Sequence, residues 1–189
     1  MQLNRQLLKT SIFAFLLAFL PPLLAEALFG PYNFFAFIWA LIPVAFHEIG
    51  HLLFSFLVSW LLSVIPRLSF LAGPSVFLGG FLFNAIAGIF LLWFSLLLFS
   101  RIQAGGLPET GRQMAFSIML IAYLNLFLLP YTLTHLAHVV SPTGIDFTMA
   151  SSLLLISLDE LLGMLWAVCG AAIAIALLIN VLFVLRSNE

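Results

Sequence analysis

Long uncharged stretches of apolar residues determine the fold class of this chain. A helix needs about 20 mostly apolar residues to cross a lipid bilayer. Four stretches exceed that length, and a fifth is interrupted by Pro21-Pro22 and Glu26; together they cover roughly 34–57, 76–100, 114–139, 161–185 and 10–29. The sequence therefore predicts an all-α, polytopic membrane helical bundle with about five transmembrane helices.

The composition agrees with a single domain inside the membrane. Hydrophobic residues make up 64% of the 189 residues and charged residues only 7%, whereas a soluble domain carries roughly 25% charged residues. No basic patch is present, which excludes a nucleic-acid partner. We expect one membrane domain over 1–189 and an integral, multi-pass protein in the lipid bilayer, most simply that of the cell membrane.

The basic residues give a first orientation of the helices. Arg5 and Lys9 precede the first apolar stretch, which favours a cytoplasmic N-terminus by the positive-inside rule. If every stretch then crosses the membrane in strict alternation, Arg67 lies on the cytoplasmic side. The same alternation places the other basic residues on the outer side: Arg101, Arg112 and Arg186.

Two segments admit other interpretations. Residues 1–27 combine a basic start, a short apolar core and Ala25-Glu26-Ala27, which is also typical of a cleaved signal peptide. Residues 58–78 are too apolar for a solvated loop, but Pro66 and Pro74 break them, so they are too irregular for a span. We expect a re-entrant or interfacial hairpin at 58–78, with its backbone satisfied by protein or by a cavity.

The most specific motif is His47-Glu48-Ile49-Gly50-His51, an HExxH pattern. On a helix, positions i and i+4 share one face, so both imidazoles can bind one zinc ion. Glu48 then faces the water that the zinc activates, and it can accept a proton from that water. Because ionisable groups at membrane depth cost about 2.5–3.5 kcal/mol each, their presence in an apolar run indicates a functional site. The motif predicts amide hydrolysis.

A catalytic zinc ion usually has three protein ligands and one open position. Candidates for the third ligand are the remaining histidines, His135 and His138, and the carboxylate of Asp146. Pro130 lies five residues before His135 and removes a helical hydrogen bond, so the helix can bend there toward a neighbour. Alternatively, backbone carbonyls at a helix end could satisfy both histidines.

With these motifs the chain resembles the site-2 proteases, which are intramembrane zinc metalloproteases with a core of three helices. The HExxH motif matches the first helix of that core. Gly80-Phe81-Leu82-Phe83-Asn84 has the spacing of the second motif, Gly-Pro-x-x-Asn, without its proline. The segment from Asn125 to Pro130 is similar to the third motif, Asn-x-x-Pro, lengthened by two residues. The resemblance covers 34–147 and implies a three-helix catalytic core there.

The resemblance also implies roles for individual residues. Asn84 and Asn125 would hold the substrate backbone or the developing oxyanion, although buried asparagines also serve as hydrogen-bond anchors between helices. The family's metal-binding Asp falls five residues after the proline, a position that His135 occupies here. We therefore predict His135 as the third ligand, with Asp146 and His138 as alternatives. Asp146 reaches the metal only if the 140–147 turn folds back into the bundle.

These features predict a zinc-dependent metalloendopeptidase that hydrolyses a peptide bond in or beside a transmembrane segment of a membrane-protein or peptide substrate. Its site would line a cavity open to the cytoplasmic side. Two alternatives remain. One is a catalytically inactive, metal-binding membrane protein of the same fold. The other is a bis-His haem electron-transfer membrane protein, which a Soret absorption band would reveal.

Overall fold

The computed structural model describes residues 4–30, 33–105, 108, 110–136 and 142–186, without the side chains of residues 36, 37, 71, 135, 136, 142–144 and 186. In these ranges the chain forms six α-helices: α1 Arg5–Phe29, α2 Phe34–Val64, α3 Ala72–Gln103, α4 Gly111–Tyr131, α5 Pro142–Leu154 and α6 Leu158–Arg186. All except α5 are long and apolar enough to cross a membrane. The prediction of an all-α, multi-pass membrane bundle is confirmed, with five helices long and apolar enough to cross the membrane.

The helix α3 lies at the centre of the bundle, since α2, α4, α5 and α6 all pack against it. Its fully buried residues Leu92 and Leu96 form part of the apolar core. Gly88 allows α4 to approach closely, because a Cβ atom at this position would lie 2.8 Å from Cγ of Leu126. The side of α3 that its neighbours leave open carries exposed apolar residues such as Phe90, so the helix is apolar on its covered and uncovered sides alike, as expected for a membrane span.

Side-chain contacts fix the relative directions of the helices. Phe13 stacks on Phe116 and Phe19 packs edge-on against Phe127, so α1 and α4 run parallel. Gly111 at the start of α4 faces Ile102 near the end of α3, so α3 and α4 are antiparallel. The backbone N–H of Asn4 donates to the carbonyl of Val184 at 3.1 Å, which places the end of α6 beside the start of α1.

These directions contradict the strict alternation of crossings. The Asn4 side chain also bonds to Gln103, so the start of α1 meets the end of α3. Four basic positions that alternation would divide between the two membrane faces therefore lie at one end of the bundle: Arg5, Arg101, Arg112 and Arg186. We call this the basic end; Lys9 lies one turn further along α1.

The alternation fails between α1 and α2. Residues 46–54 of α2 pack antiparallel against residues 76–83 of α3, so α2 runs in the same sense as α1. The indole N–H of Trp39, near the start of α2, donates to the carbonyl of Leu17 at 3.3 Å. That carbonyl has no helical donor, because Pro21 lacks an N–H. The first turns of α2 thus lie along the second half of α1, whose last residue, Phe29, packs against Phe35 at 5.4 Å between ring centres.

The segment 58–78 does not form a separate re-entrant hairpin. The helix α2 continues to Val64, a six-residue 3-10 helix covers Pro66–Leu71, and α3 starts at Ala72. Pro66 begins the 3-10 helix, where its missing N–H costs nothing. The re-entrant form of the predicted hairpin is therefore absent over 58–78, because the prolines mark the boundary between two long helices; the interfacial position of this connection stays a prediction. The exposed Val64, Ile65 and Phe70 keep this connection apolar.

Three polar side chains hold α1, α4 and α6 together within the apolar bundle. The Ser11 hydroxyl donates to Oδ1 of Asn180 at 2.6 Å and lies 2.6 Å from the Tyr123 hydroxyl. Asn180 Nδ2 donates to the same tyrosine oxygen at 3.0 Å. Since the single Ser11 proton goes to Asn180, the Tyr123 O–H must donate to Ser11. The result is a closed ring of three hydrogen bonds.

Replacing Ser11 with Ala should lower the free energy of unfolding by about 1 kcal/mol. The substitution removes the hydrogen bonds from α1 to Tyr123 and Asn180 and leaves these two side chains with one partner fewer. Ser117→Ala is the matched control, since among the described residues the exposed Ser117 hydroxyl bonds to Gln113 in its own helix. Both variants are purified in a mild detergent and unfolded by titration with a denaturing detergent, which measures the difference in their free energies of unfolding. Equal stability of the two variants would contradict a role of the ring in joining the helices.

Candidate metal centre

The HExxH motif lies on α2 where this helix comes closest to α3. A Cβ atom at Gly50 would lie 2.6 Å from the carbonyl oxygen of Gly79 and 2.8 Å from Cα of Gly80. Since such distances are too short for real side chains, only glycine permits this approach. The two backbones are therefore in direct contact beside the motif. This contact places the His47 and His51 side chains against the first turns of α3.

His47 is held by the surface that Gly80 leaves open. A Cβ atom on Gly80 would lie 2.6 Å from each of three ring atoms of His47, Cγ, Cδ2 and Cε1. The ring therefore packs flat on the glycine, and His47 is only 5% exposed. Burial between two helices fixes the direction of its Nε2 atom. The position of this imidazole thus depends on the absence of a side chain at residue 80.

His51 is oriented by a carbonyl group of the neighbouring helix. Its Nδ1 atom lies 2.7 Å from the carbonyl oxygen of Val76 in α3. Because a carbonyl oxygen can only accept, Nδ1 carries the proton and donates it. In the neutral ring Nε2 then holds a free lone pair, which is the state that a metal ligand requires.

Asp146 reaches the two histidines because α5 folds back onto α3. The neighbouring Phe147 is fully buried and packs edge-on against Phe81 at 5.9 Å between ring centres. This contact anchors α5 and directs the adjacent Asp146 toward α2. Its Oδ2 atom lies 3.2 Å from Nε2 of His51 and 3.7 Å from Nε2 of His47. The fold-back that Asp146 requires is therefore present.

The charge state of Asp146 suits a metal ligand. Burial raises the pKa of its carboxyl group, whereas hydrogen bonds from His47 and His51 lower that pKa, and the net shift is downward. The group is therefore ionised at neutral pH. Nε2 of His51 lies 3.2 Å from Oδ2. Because Nδ1 already donates to Val76, Nε2 can donate to Asp146 only when the ring carries a second proton, and in the neutral ring both atoms are acceptors. Two acceptors at this distance repel unless a cation, either a proton or a metal ion, lies between them.

The three ligand atoms form a triangle of the size that a single metal ion requires. The two Nε2 atoms are 3.1 Å apart, and Oδ2 lies 3.2 and 3.7 Å from them. Zinc bonds of 2.0–2.1 Å in tetrahedral geometry separate neighbouring ligand atoms by about 3.3 Å. His47, His51 and Asp146 therefore fit one metal ion and could hold it.

The other predicted ligands fall outside the described side chains. The backbone of His135 lies in a π-helical turn, Thr132–Leu136, directly after α4 and Pro130. The position of its side chain is outside the described part of the chain, and so is His138. Their assignment as ligands stays a prediction. Asp146, the acidic alternative, is the residue that the structure brings together with His47 and His51.

The remaining predicted site residues lie on the same helices. Glu48 follows His47 on α2 and is exposed, outside the triangle of ligand atoms. Asn84 lies one helical turn beyond Gly80 on α3, and Asn125 lies on α4. Both asparagines are buried, and their Oδ1 atoms have no hydrogen-bond partner among the described residues. Asn125 also donates its Nδ2 to the carbonyl of Ile121 in its own helix.

Sequence reasoning missed the two groups that position the histidines. The carbonyl group of Val76 cannot be recognised in the sequence, because every residue has a backbone carbonyl group. Gly80 stands out in the sequence only as part of the Gly-Pro-x-x-Asn-like spacing. The available signal was the occurrence of Gly50 inside the HExxH motif together with the Gly79-Gly80 pair, which indicates a close helix crossing at the metal ligands.

Comparison with known proteins adds no assignment to this geometry. The chain matches no family model, no curated protein and no solved structure. The cluster of His47, His51 and Asp146, with its surroundings, is therefore the feature from which a function can be inferred.

Replacing Asp146 with Ala should abolish stoichiometric zinc binding, because the triangle loses its only charged ligand. Asp159→Ala is the control, since this exposed aspartate begins α6 and lies outside the cluster. Zinc content after purification, with helical content checked by circular dichroism, measures the effect. His135→Ala in the same series tests the other predicted ligand. Full zinc content in Asp146→Ala and zinc loss in His135→Ala would reverse the assignment.

Replacing Gly80 with Ala should weaken zinc binding by about 10- to 100-fold, the range for groups that orient a ligand. The new Cβ atom would displace the His47 ring. Gly170→Ala is the control in α6, where a Cβ atom would meet nothing within 4 Å. Competition with a fluorescent zinc chelator measures both affinities. Equal affinities would show that Gly80 does not position His47.

Proposed function

We propose that this protein is an intramembrane zinc metalloendopeptidase that hydrolyses a peptide bond in or beside a transmembrane segment of another protein. One observation carries the proposal. An HExxH motif on a spanning helix has both histidines and the carboxylate of Asp146 within 3.7 Å of one another. A zinc protease would use both imidazoles and both carboxylates, those of Asp146 and Glu48, which accounts for four ionisable groups in an apolar bundle where such groups are costly.

The donor set supports zinc as the metal. Two imidazole nitrogens and one carboxylate oxygen are the ligands of a common class of catalytic zinc site, which leaves one coordination position open. A structural zinc site would instead be closed by four protein ligands. When bound, zinc supplies Lewis-acid chemistry, which polarises a carbonyl group and makes a water molecule more acidic.

Glu48 is proposed as the general base. It follows the ligand His47 on the same helix, and its carboxylate lies outside the ligand triangle and is exposed. An exposed carboxylate can accept a proton from water as the water attacks the scissile carbonyl. The same group can then return the proton to the leaving nitrogen. This use explains why a carboxylate is kept at membrane depth, where it is costly.

Asn84 and Asn125 are proposed to contact the substrate backbone. Each has a buried Oδ1 atom without a donor among the described residues. A buried acceptor without a partner costs about 1–3 kcal/mol, so such a group calls for a partner from outside the chain. A peptide N–H is one group that could satisfy it. Asn84 is the better placed of the two, because it lies one turn from Gly80, on which His47 packs.

The position of the cluster supports a membrane substrate. His47 and His51 project from α2 toward α3, and both helices are long and apolar enough to span a membrane. The site therefore lies among spanning helices and not in an aqueous domain. A substrate segment that already lies in the bilayer can reach it without leaving the membrane.

Replacing Glu48 with Gln should reduce hydrolysis by at least about 100-fold, the lower range for loss of a general base. Zinc should remain near one equivalent, because Glu48 is not a ligand. The measurement is cleavage of a single-span substrate with the enzyme in proteoliposomes, followed by zinc analysis of the same preparation. Glu26→Gln is the control, since it removes a carboxylate from α1 instead.

Two outcomes would contradict the proposal. Undiminished cleavage by Glu48→Gln would remove Glu48 from the chemistry. Wild-type protein that binds zinc but cleaves none of a panel of single-span substrates would favour the inactive metal-binding protein of the same fold.

A further inference from the structure

The distribution of basic residues between the two ends of the bundle gives the protein an orientation. The chain contains six lysine and arginine residues. Five of them lie at or within two turns of the basic end: Arg5, Lys9, Arg101, Arg112 and Arg186. The sixth, Arg67, lies in the 3-10 helix at the opposite end. Asp159 and Glu160 also lie at that opposite end, in the first turn of α6.

This asymmetry indicates which end faces the cytoplasm. Basic residues close to the ends of spanning helices are strongly enriched on the cytoplasmic side. Five basic residues lie at one end of the bundle and one lies at the other. This bias is seen only when the helix directions of the folded protein are used. A strict alternation of crossings would have divided them, with three of the six on the outer side. The bias therefore places the basic end in the cytoplasm and the 3-10 helix on the other side.

The metal ligands lie close to the opposite, non-basic end. His51 contacts Val76, and His47 packs on Gly80, at the fifth and ninth residues of α3. At 1.5 Å per residue, Val76 lies about 6 Å along the axis from the start of α3 and about 40 Å from Gln103. Asp146 comes from the fifth residue of α5, which packs on the same part of α3.

We infer that the metal centre lies in the extracytoplasmic half of the membrane, and that its substrate bond lies in the same half of a membrane segment. The location follows from the fold and the charges alone. The statement about the substrate rests on the proposed function. This orientation is opposite to the cytoplasmic opening that the sequence suggested, because that expectation assumed a full crossing by both α1 and α2.

Single-cysteine labelling of the full-length protein in intact bacterial cells tests the orientation. The background is Cys169→Ser, which removes the only cysteine. Ser69→Cys reports on the 3-10 helix, and Ala104→Cys reports on the basic end; both positions are exposed. A membrane-impermeant maleimide should label Ser69→Cys in intact cells, and Ala104→Cys only after permeabilisation. Labelling in detergent gives the total reactive fraction for each variant.

The opposite pattern, with Ala104→Cys labelled in intact cells and Ser69→Cys protected, would overturn the inference. Equal labelling of both would also overturn it, because the protein would then have no fixed orientation. If either cysteine fails to react in detergent, C-terminal fusions give the answer instead. Fluorescence of a fused green fluorescent protein without activity of fused alkaline phosphatase places the end of α6 in the cytoplasm, as expected, and the reverse contradicts it.

Mapping the cleavage site separates this inference from the proposed function. A single-span substrate of known orientation is incubated with the enzyme in cells, and the product ends are determined by mass spectrometry. We expect the Glu48-dependent cut in the extracytoplasmic half of the span. A cut in the cytoplasmic half would overturn the substrate statement. Absence of any cut with the expected labelling pattern would refute the protease and leave the orientation standing.

Discussion

The close contact between α2 and α3 is the constraint on which the rest of the site depends. Gly50, Gly79 and Gly80 bring the two backbones within van der Waals distance, so side chains on α2 reach the backbone of α3. His47 then packs on a bare Cα atom and His51 reaches the Val76 carbonyl. If the helices stood at the usual 8–10 Å separation, neither imidazole would be held in one orientation. The close packing of two apolar helices therefore holds the two histidine side chains in fixed positions.

Much of this arrangement follows from local sequence. The five long helices follow from the length of the apolar stretches, since a helix is the only local structure that satisfies the backbone in lipid. The pairing of His47 with His51 follows from the helical repeat, which places i and i+4 on one face. Both statements need only short-range information. They were predictable for that reason.

The third member of the cluster and the helix directions were not predictable in the same way. Asp146 lies 95 residues after His51, and its approach depends on Phe147 packing against Phe81, a contact that no periodic pattern encodes. The spacing from Pro130 favoured His135 instead. The helix directions depend on contacts between α1, α2, α3 and α4, among them the bond from Trp39 to the carbonyl that Pro21 leaves without a helical donor. Each of these features depends on a tertiary contact between residues far apart in the sequence. Helix periodicity and local sequence motifs do not predict such contacts.

The metal cluster and the fold of α5 depend on each other. In the described part of the chain, α5 is held to the bundle by apolar contacts, notably Phe147 on Phe81 and Leu153 beside Gly73. These contacts bring an ionised carboxylate toward the lone pair of His51, which is unfavourable without a cation between them. A bound divalent ion reverses the sign of this interaction, so it joins α5 to α2 through Asp146 and the two histidines. Binding of the metal should therefore stabilise the position of α5, and the ordering of α5 in turn completes the ligand set. In this way a short helix that does not span the membrane determines whether the site on the spanning helices is complete.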